Sequence, residues 1–286
     1  MLALAVTLLP AAAALVTPGC VIFVRHGQSE FNKANRFTGW INVPLTTEGR
    51  AEAAAGANWI EETSISFDVA FSSELQRAQD TAEILLEHCG QGDLPVACDW
   101  RLNERHYGAL QGLSKDAAVQ QYGREQVKAW RNSYTAVPPP MPRSDPGHPA
   151  NDPLYASVPP ASLPDAECLK DTLERCTPFW TERVEPCLRA GRNVLISAHG
   201  HSIRALVKHL DDVTDDDIAR VSMPNGIPLL YRLRVTSDGA LRPVPPSVRS
   251  IGSHAPALNP GDLCPMPRVH ALPAPLALHT HAACML

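Results

Sequence analysis

The sequence predicts one α/β domain, a three-layer α/β/α sandwich with a mostly parallel central sheet. Three observations lead there. Between about residues 19 and 236, short apolar runs alternate with longer blocks of helix-forming residues, the signature of successive β-α units. The runs CVIFV and VLISA are continuous rather than alternating, as in strands covered on both faces. Finally, 286 residues with 44% hydrophobic and 19% charged side chains supply a sizeable core and exclude wholesale disorder.

The elements follow in order. Residues 20–24 read as a buried strand, and 46–62 as a helix opening after threonine and rich in Ala and Glu. FDVAFSS (67–73) is the next strand, and 74–89 a helix stopped by Gly90. LPVAC (94–98) is a third strand. Two helices follow, one opening near Ser114 and one over 123–132. Residues 136–164 hold ten prolines and read as a long loop. A single long helix is expected over 166–190, then a strand at 194–198 and a helix through HSIRALVKHL. Thr214 with Asp217 three residues on resembles a further helix start, its acidic run Asp215-Asp216-Asp217 complementing the dipole. PLLYRLRV (228–235) closes the domain as a strand.

The ends differ in composition. Residues 1–18 are apolar, short for a membrane span, and similar to the apolar part of a signal peptide without its basic start. A cytoplasmic protein is expected, with organelle targeting by this stretch left open. Residues 237–286 read as a proline-rich, unstructured tail; nine prolines fall within 241–286, and His254, His270, His279 and His281 lack metal-ligand spacing. The domain proper is therefore placed at 19–236. Eight cysteines with no C-x-x-C pair read as free thiols in a reducing compartment. Lys plus Arg number 25 against 30 Asp plus Glu, a net charge of -5. This argues against a nucleic-acid partner and leaves any bound anion to a few placed cations.

The chemistry is announced by an internal echo. VIFV-Arg25-His26-Gly27-Gln28-Ser29 and VLIS-Ala198-His199-Gly200-His201-Ser202 share a strand, His-Gly, then Ser. Ligands of open α/β sheets sit beyond the carboxyl ends of strands. Neighbouring strands would set His26 and His199 face to face across a gap fitting one phosphoryl group. The glycines would let backbone N–H groups approach an anion. Arg25 and Arg77, each after a strand, offer donor forks to phosphate, and Glu104 follows the third strand. Such a set suits phosphoryl transfer through a phosphohistidine.

VRHGQSEFNKANRFTGW, LNERHYGALQGLSK and SAHGHSIRALVKHL resemble, in order, the signatures of the cofactor-dependent phosphoglycerate mutases of the histidine phosphatase superfamily. The similarity runs from about residue 20 to 235. It implies that His26 is the phosphorylated nucleophile and Glu104 the general acid/base. Arg25, Arg77 and His199 would stabilise the transferring group. Asn32, Thr38, Gly39, Tyr107, Lys115, Arg131, Gly200 and His201 would line the substrate pocket. It also implies interconversion of 3- and 2-phosphoglycerate, 2,3-bisphosphoglycerate as primer, no metal, and a dimer or tetramer. A Glu104 pKa raised by a dry pocket would help proton transfer.

Three departures accompany the resemblance: Asn132 stands where the family has a second arginine, His201 where it has asparagine, and the tail is atypical. His201 is expected to be charge-labile near neutrality. A histidine phosphatase acting on small phosphate esters is the alternative activity, and a silent anion-binding relative the third; the joint presence of His26, His199, Glu104, Arg25 and Arg77 argues against the last. His199-x-His201 also reads as a metal pair, which Gly200 and Arg25 argue against. The five tryptophans read as packing residues, and Arg101 and Arg105 as surface pairs flanking Glu104.

Overall fold

The computed structural model describes residues 17–244 and 249–250. Strand β1 (Cys20–Arg25) sends Val21 and Phe23 into one hydrophobic cluster and Ile22 and Val24 into another. Helices cover both faces of the sheet, so the strand has no solvent side and its sequence shows no alternation. A single turn, α1 (Glu30–Lys33), is capped by Ser29, and α2 (Thr47–Glu61) by Thr46, whose side chain accepts from the Gly49 N–H. Then come β2 (Val69–Ser72), α3 (Gln76–His88) and β3 (Val96–Cys98). Helices α4 (Lys115–Tyr122) and α5 (Arg124–Asn132) pack Ala118, Val127 and Trp130 in a separate cluster with Phe37 and Leu110.

The proline-rich loop is built rather than slack. It holds three short 3-10 turns, Pro149–Asn151, Pro153–Tyr155 and Pro160–Ser162, each opened by a proline, whose fixed φ suits a first helical position. Tyr155, Val158 and Leu163 from this loop cluster with Trp40.

The helix expected over 166–190 is three pieces: α6 (Leu169–Phe179), a wide π turn (Trp180–Val184) and α7 (Glu185–Arg189). Pro186 has no N–H to return to the carbonyl four residues back, so the ladder slips by one residue. Strand β4 (Val194–Ala198) and helix α8 (Gly200–Asp211) follow. The helix expected from Thr214 reduces to one 3-10 turn, Ile218–Arg220. Thr214 does accept from the Asp217 N–H, but Asp215 pairs with Lys208 at 2.7 Å instead of opening a helix.

Strands β5 (Pro228–Val235), β6 (Leu241–Pro243) and β7 (Arg249–Ser250) complete the sheet. The sheet thus continues past residue 236. β5 turns back through Gly239, with φ of +82°, into β6, where Pro243 is tolerated on a sheet edge. Residues 251–286, with the remainder of the tail and its histidines, lie outside the described residues, as do residues 1–16.

The strand order is β3-β2-β4-β1-β5-β6, with β7 also on β5. β3, β2, β4 and β1 run parallel, and β5 to β7 add an antiparallel margin. Ala57 and Ile60 of α2 with Leu85 and Leu86 of α3 cover one face. Cys176 and Phe179 of α6 with Ile203 and Leu206 of α8 cover the other, completing the expected three layers. The six described cysteines are free thiols. Among the described residues no helix is long and apolar enough to cross a membrane.

Candidate active site

β1 and β4 are neighbours in register, Arg25 opposite Ala198, and each strand ends in a histidine. The His26 N–H donates to the Ala198 carbonyl at 3.0 Å. The two imidazoles lie with ring centroids 5.0 Å apart and 59° between planes. They are packed against one another, with no gap for a phosphoryl group between them. The open space lies to one side, a cavity of about 200 Å³ that His26 lines and His199 does not. His199 is fully buried behind it, its Nε2 2.7 Å from Ser73 Oγ.

The tautomer of His26 follows from its partners. Nδ1 lies 2.6 Å from the Gly27 carbonyl, which can only accept, so Nδ1 carries the proton and Nε2 the lone pair. Arg77 Nε donates to that Nε2 at 3.3 Å. Burial, then Arg77 and Arg25, hold the His26 pKa well below the ordinary histidine value and keep it neutral. Arg77 is itself buried and is pushed down to about 10 by that burial, against the pull of Glu104; it remains a cation at neutral pH. Its other nitrogens donate to the carbonyls of Ile41 at 3.0 Å and Gly39 at 2.9 Å.

Glu104 is reached through a 3-10 turn, Trp100–Leu102, just past β3. Its Oε1 accepts from the Arg105 N–H at 2.8 Å, the His201 N–H at 3.1 Å and His201 Nδ1 at 3.1 Å. Burial alone would raise this carboxyl. His201 and its hydrogen bond, with His199 and the Arg105 N–H, outweigh it and hold Glu104 well below the usual range. This reverses the expected direction, because three donors converge on one oxygen of an otherwise dry group. His201 is also corrected: burial, then Arg105, pushes it to about 3, so the imidazole stays neutral through the physiological range.

Arg25, His26, Arg77 and Glu104 all line the cavity, as do Asn32, Thr38, Gly39, Tyr107, Lys115, Arg131, Gly200 and His201. Asn32 serves twice, since its Oδ1 also accepts from the Ser29 N–H in the α1 cap. Arg36, Asn132 and Arg204 line the cavity as well. Arg204 follows Gly200 by one helical turn on α8, a spacing that places both on one face. Arg105 is fully buried, its guanidinium 4.6 Å from the Tyr107 ring centre and two of its nitrogens without protein partners. It is not the surface pair expected; Arg101 is, with Asp99 and Glu182.

Gly27 also differs from its expected role. Its N–H donates to Thr81 Oγ1 at 3.2 Å, and a Cβ there would stand 2.0 Å from the Gly49 carbonyl oxygen. The residue is small because the β1 loop meets the start of α2 backbone to backbone. Among the described residues, no group of three or more His, Cys, Asp or Glu side chains is placed to hold a metal ion.

Solved structures share this architecture. A mycobacterial glucosyl-3-phosphoglycerate phosphatase in complex with VO3 superposes with a TM-score of 0.60 at 26% identity, over 79% of this chain and 97% of that one. "Mycobacterial hydrolase 1" gives 0.63 at 24% identity, covering 83% and 100%. A putative alpha-ribazole-5'-P phosphatase from Escherichia coli gives 0.60 at 20%, covering 85% and 100%. The sequence matches the family described as histidine phosphatase superfamily (branch 1) over residues 21–240. With His26, flanking arginines and Glu104 around one cavity and His199 buried behind it, the chain belongs to the histidine phosphatase superfamily, branch 1.

Proposed function

We propose that this protein interconverts 3-phosphoglycerate and 2-phosphoglycerate through a phosphohistidine at His26, primed by 2,3-bisphosphoglycerate and without a metal. The observation that carries the reading is the pairing, around one cavity, of a neutral His26 whose Nε2 holds a lone pair with a Glu104 held as carboxylate. Arg25, Arg36, Lys115, Arg131 and Arg204 around the same cavity suit a substrate carrying phosphate and carboxylate together.

The protons balance for transfer between substrate hydroxyls. With the phosphoryl group on His26, the 2-hydroxyl of 3-phosphoglycerate attacks phosphorus and gives its proton to Glu104. The N–P bond breaks and its electron pair returns to Nε2. After reorientation of the bisphosphate, Nε2 attacks the other phosphorus. Glu104 then returns its proton to the departing ester oxygen. Glu104 is a carboxylate while His26 carries the phosphoryl group. It holds the proton while His26 is free with the bisphosphate bound, whose negative charge opposes the groups that lower its pKa. Arg77 is placed to neutralise charge developing on the transferring group.

Hydrolysis of small phosphate esters is the second reading. It is favoured by the phosphatases among the similar structures and by Asn132 on the cavity wall where the mutase resemblance calls for arginine. The mutase reading brings with it a homo-oligomer, dimer or tetramer, in the cytoplasm. Isomerisation of 3-phosphoglycerate by the full chain, with 2,3-bisphosphoglycerate titrated from zero, tests it. Turnover rising with primer is expected. Inorganic phosphate released without isomerisation would replace the mutase with the phosphatase.

A further inference from the structure

The 37–41 loop holds both working ends of the site. The carbonyls of Gly39 and Ile41 accept from Arg77. Between them, Trp40 turns its indole N–H onto the Glu104 carbonyl at 2.6 Å, and its own N–H is held by Gln111 Oε1 at 2.8 Å. The Glu104 carbonyl takes a second donor, Arg175 Nη2, at 3.0 Å. Arg175 is gripped by both oxygens of Glu167, at 2.6 and 2.9 Å, and lies 5.6 Å from the centre of a Trp40 ring. Glu167 also accepts the His106 N–H at 2.8 Å.

This clamp has a mechanical consequence. The Glu104 carbonyl and the Arg105 N–H belong to one planar peptide group and point in opposite directions. Fixing the carbonyl from behind aims the N–H forward, where it donates to Glu104 Oε1 at 2.8 Å. The carboxylate is thereby directed by two donors it does not touch. Trp40 is 7% exposed, and its buried indole N–H needs an acceptor; the one it takes is the carbonyl of Glu104 itself.

We infer that Trp40, backed by Arg175 and Glu167, is a positioning residue for the acid–base carboxylate, and that its loop keeps Glu104 in register with Arg77. The inference rests on Glu104 acting in the proposed chemistry. Its signature is a dependence on the leaving group. An alkyl phosphate needs a proton delivered to its departing oxygen, whereas p-nitrophenyl phosphate expels a stable phenolate that does not. Trp40→Phe keeps a ring against Tyr155 and Trp100 while removing the N–H.

Phosphohistidine formation is measured in single turnover with 2,3-bisphosphoglycerate and, separately, as the nitrophenolate burst from p-nitrophenyl phosphate. Trp40→Phe is expected to slow the alkyl ester by roughly 10- to 100-fold and to leave the aryl burst within about twofold. The split should run in the same direction as that of Glu104→Gln. The unchanged aryl burst also reports that the variant is folded. Equal loss on both esters, or no loss on either, overturns the positioning role. Wild-type protein that forms no phosphohistidine from either ester would instead overturn the phosphohistidine reading beneath it, and the positioning role with it.

Discussion

Arg77 Nε donates to His26 Nε2 at 3.3 Å, so the nitrogen that would take the phosphoryl group already faces the cation that would neutralise it. The charge is in place before substrate arrives, and the Nε–H has only to yield the Nε2 lone pair as phosphorus approaches. This is the condition under which a fixed donor lowers a barrier most, because its orientation is settled in folding.

Arg77→Ala removes that donor and frees the carbonyls of Gly39 and Ile41. Loss of one such contact costs about 3 kcal/mol of barrier, so phosphohistidine formation should slow by roughly 100-fold or more. Single-turnover quench with primer reads this directly; a change below about fivefold would remove Arg77 from the phosphoryl-holding role.

His201→Ala takes one of three donors from Glu104 Oε1 while leaving the backbone N–H in place. The Glu104 carboxyl should then rise toward its ordinary value. The acid limb of the kcat profile, where Glu104 becomes protonated and can no longer act as a base, should move to higher pH by about one unit. An unshifted limb would mean that the imidazole does not set the acidity of Glu104.

Stability should fall on the acid side because four histidines are buried neutral. His26, His106, His199 and His201 all have lowered pKa values, burial being the first cause in each. Between their unfolded pKa, about 6.5, and their folded values, the unfolded chain binds more protons than the folded one. The contribution is thus complete above about pH 7.5 and shrinks as pH falls, by about 1.4 kcal/mol per pH unit for each fully titrating histidine. Urea midpoints should be flat from pH 7.5 to 8.5 and drop steeply between pH 6.5 and 5; a midpoint constant down to pH 5 would contradict the buried neutral set.

Gly27→Ala should destabilise the fold by more than about 2 kcal/mol, since its Cβ would press on the Gly49 carbonyl. Because His26 precedes it and bonds its carbonyl, activity should fall even in molecules that stay folded. Chemical denaturation alongside single-turnover rates separates the two losses.

The parts of the site legible in the sequence are those fixed by strand ends. His26 and His199 follow apolar runs that pair in register, and Arg77 and Glu104 each come shortly after a strand, so short-range pattern and the crevice rule suffice. What escaped depends on long-range packing. Arg105 sits two charges away from Arg101 in sequence, yet one is buried over Tyr107 and the other paired at the surface; no local period distinguishes them. The lowered Glu104 pKa rests on His201, 97 residues away. The π turn before Pro186 and the Pro243 edge strand show the same thing in the fold. A proline announces a break in hydrogen bonding, but whether the chain stops, slips or continues depends on which neighbour is there to receive it.

β1, the strand that presents His26, has β4 on one side and β5 on the other, both made from the last part of the described chain. A polypeptide leaving the ribosome therefore displays its Arg-His-Gly segment long before any partner for that strand exists. Both strand edges stay open to chaperones or to aggregation until Ala198 has emerged, and one of them until β5 follows. His26 is synthesised well before either of the strands that hold it in place.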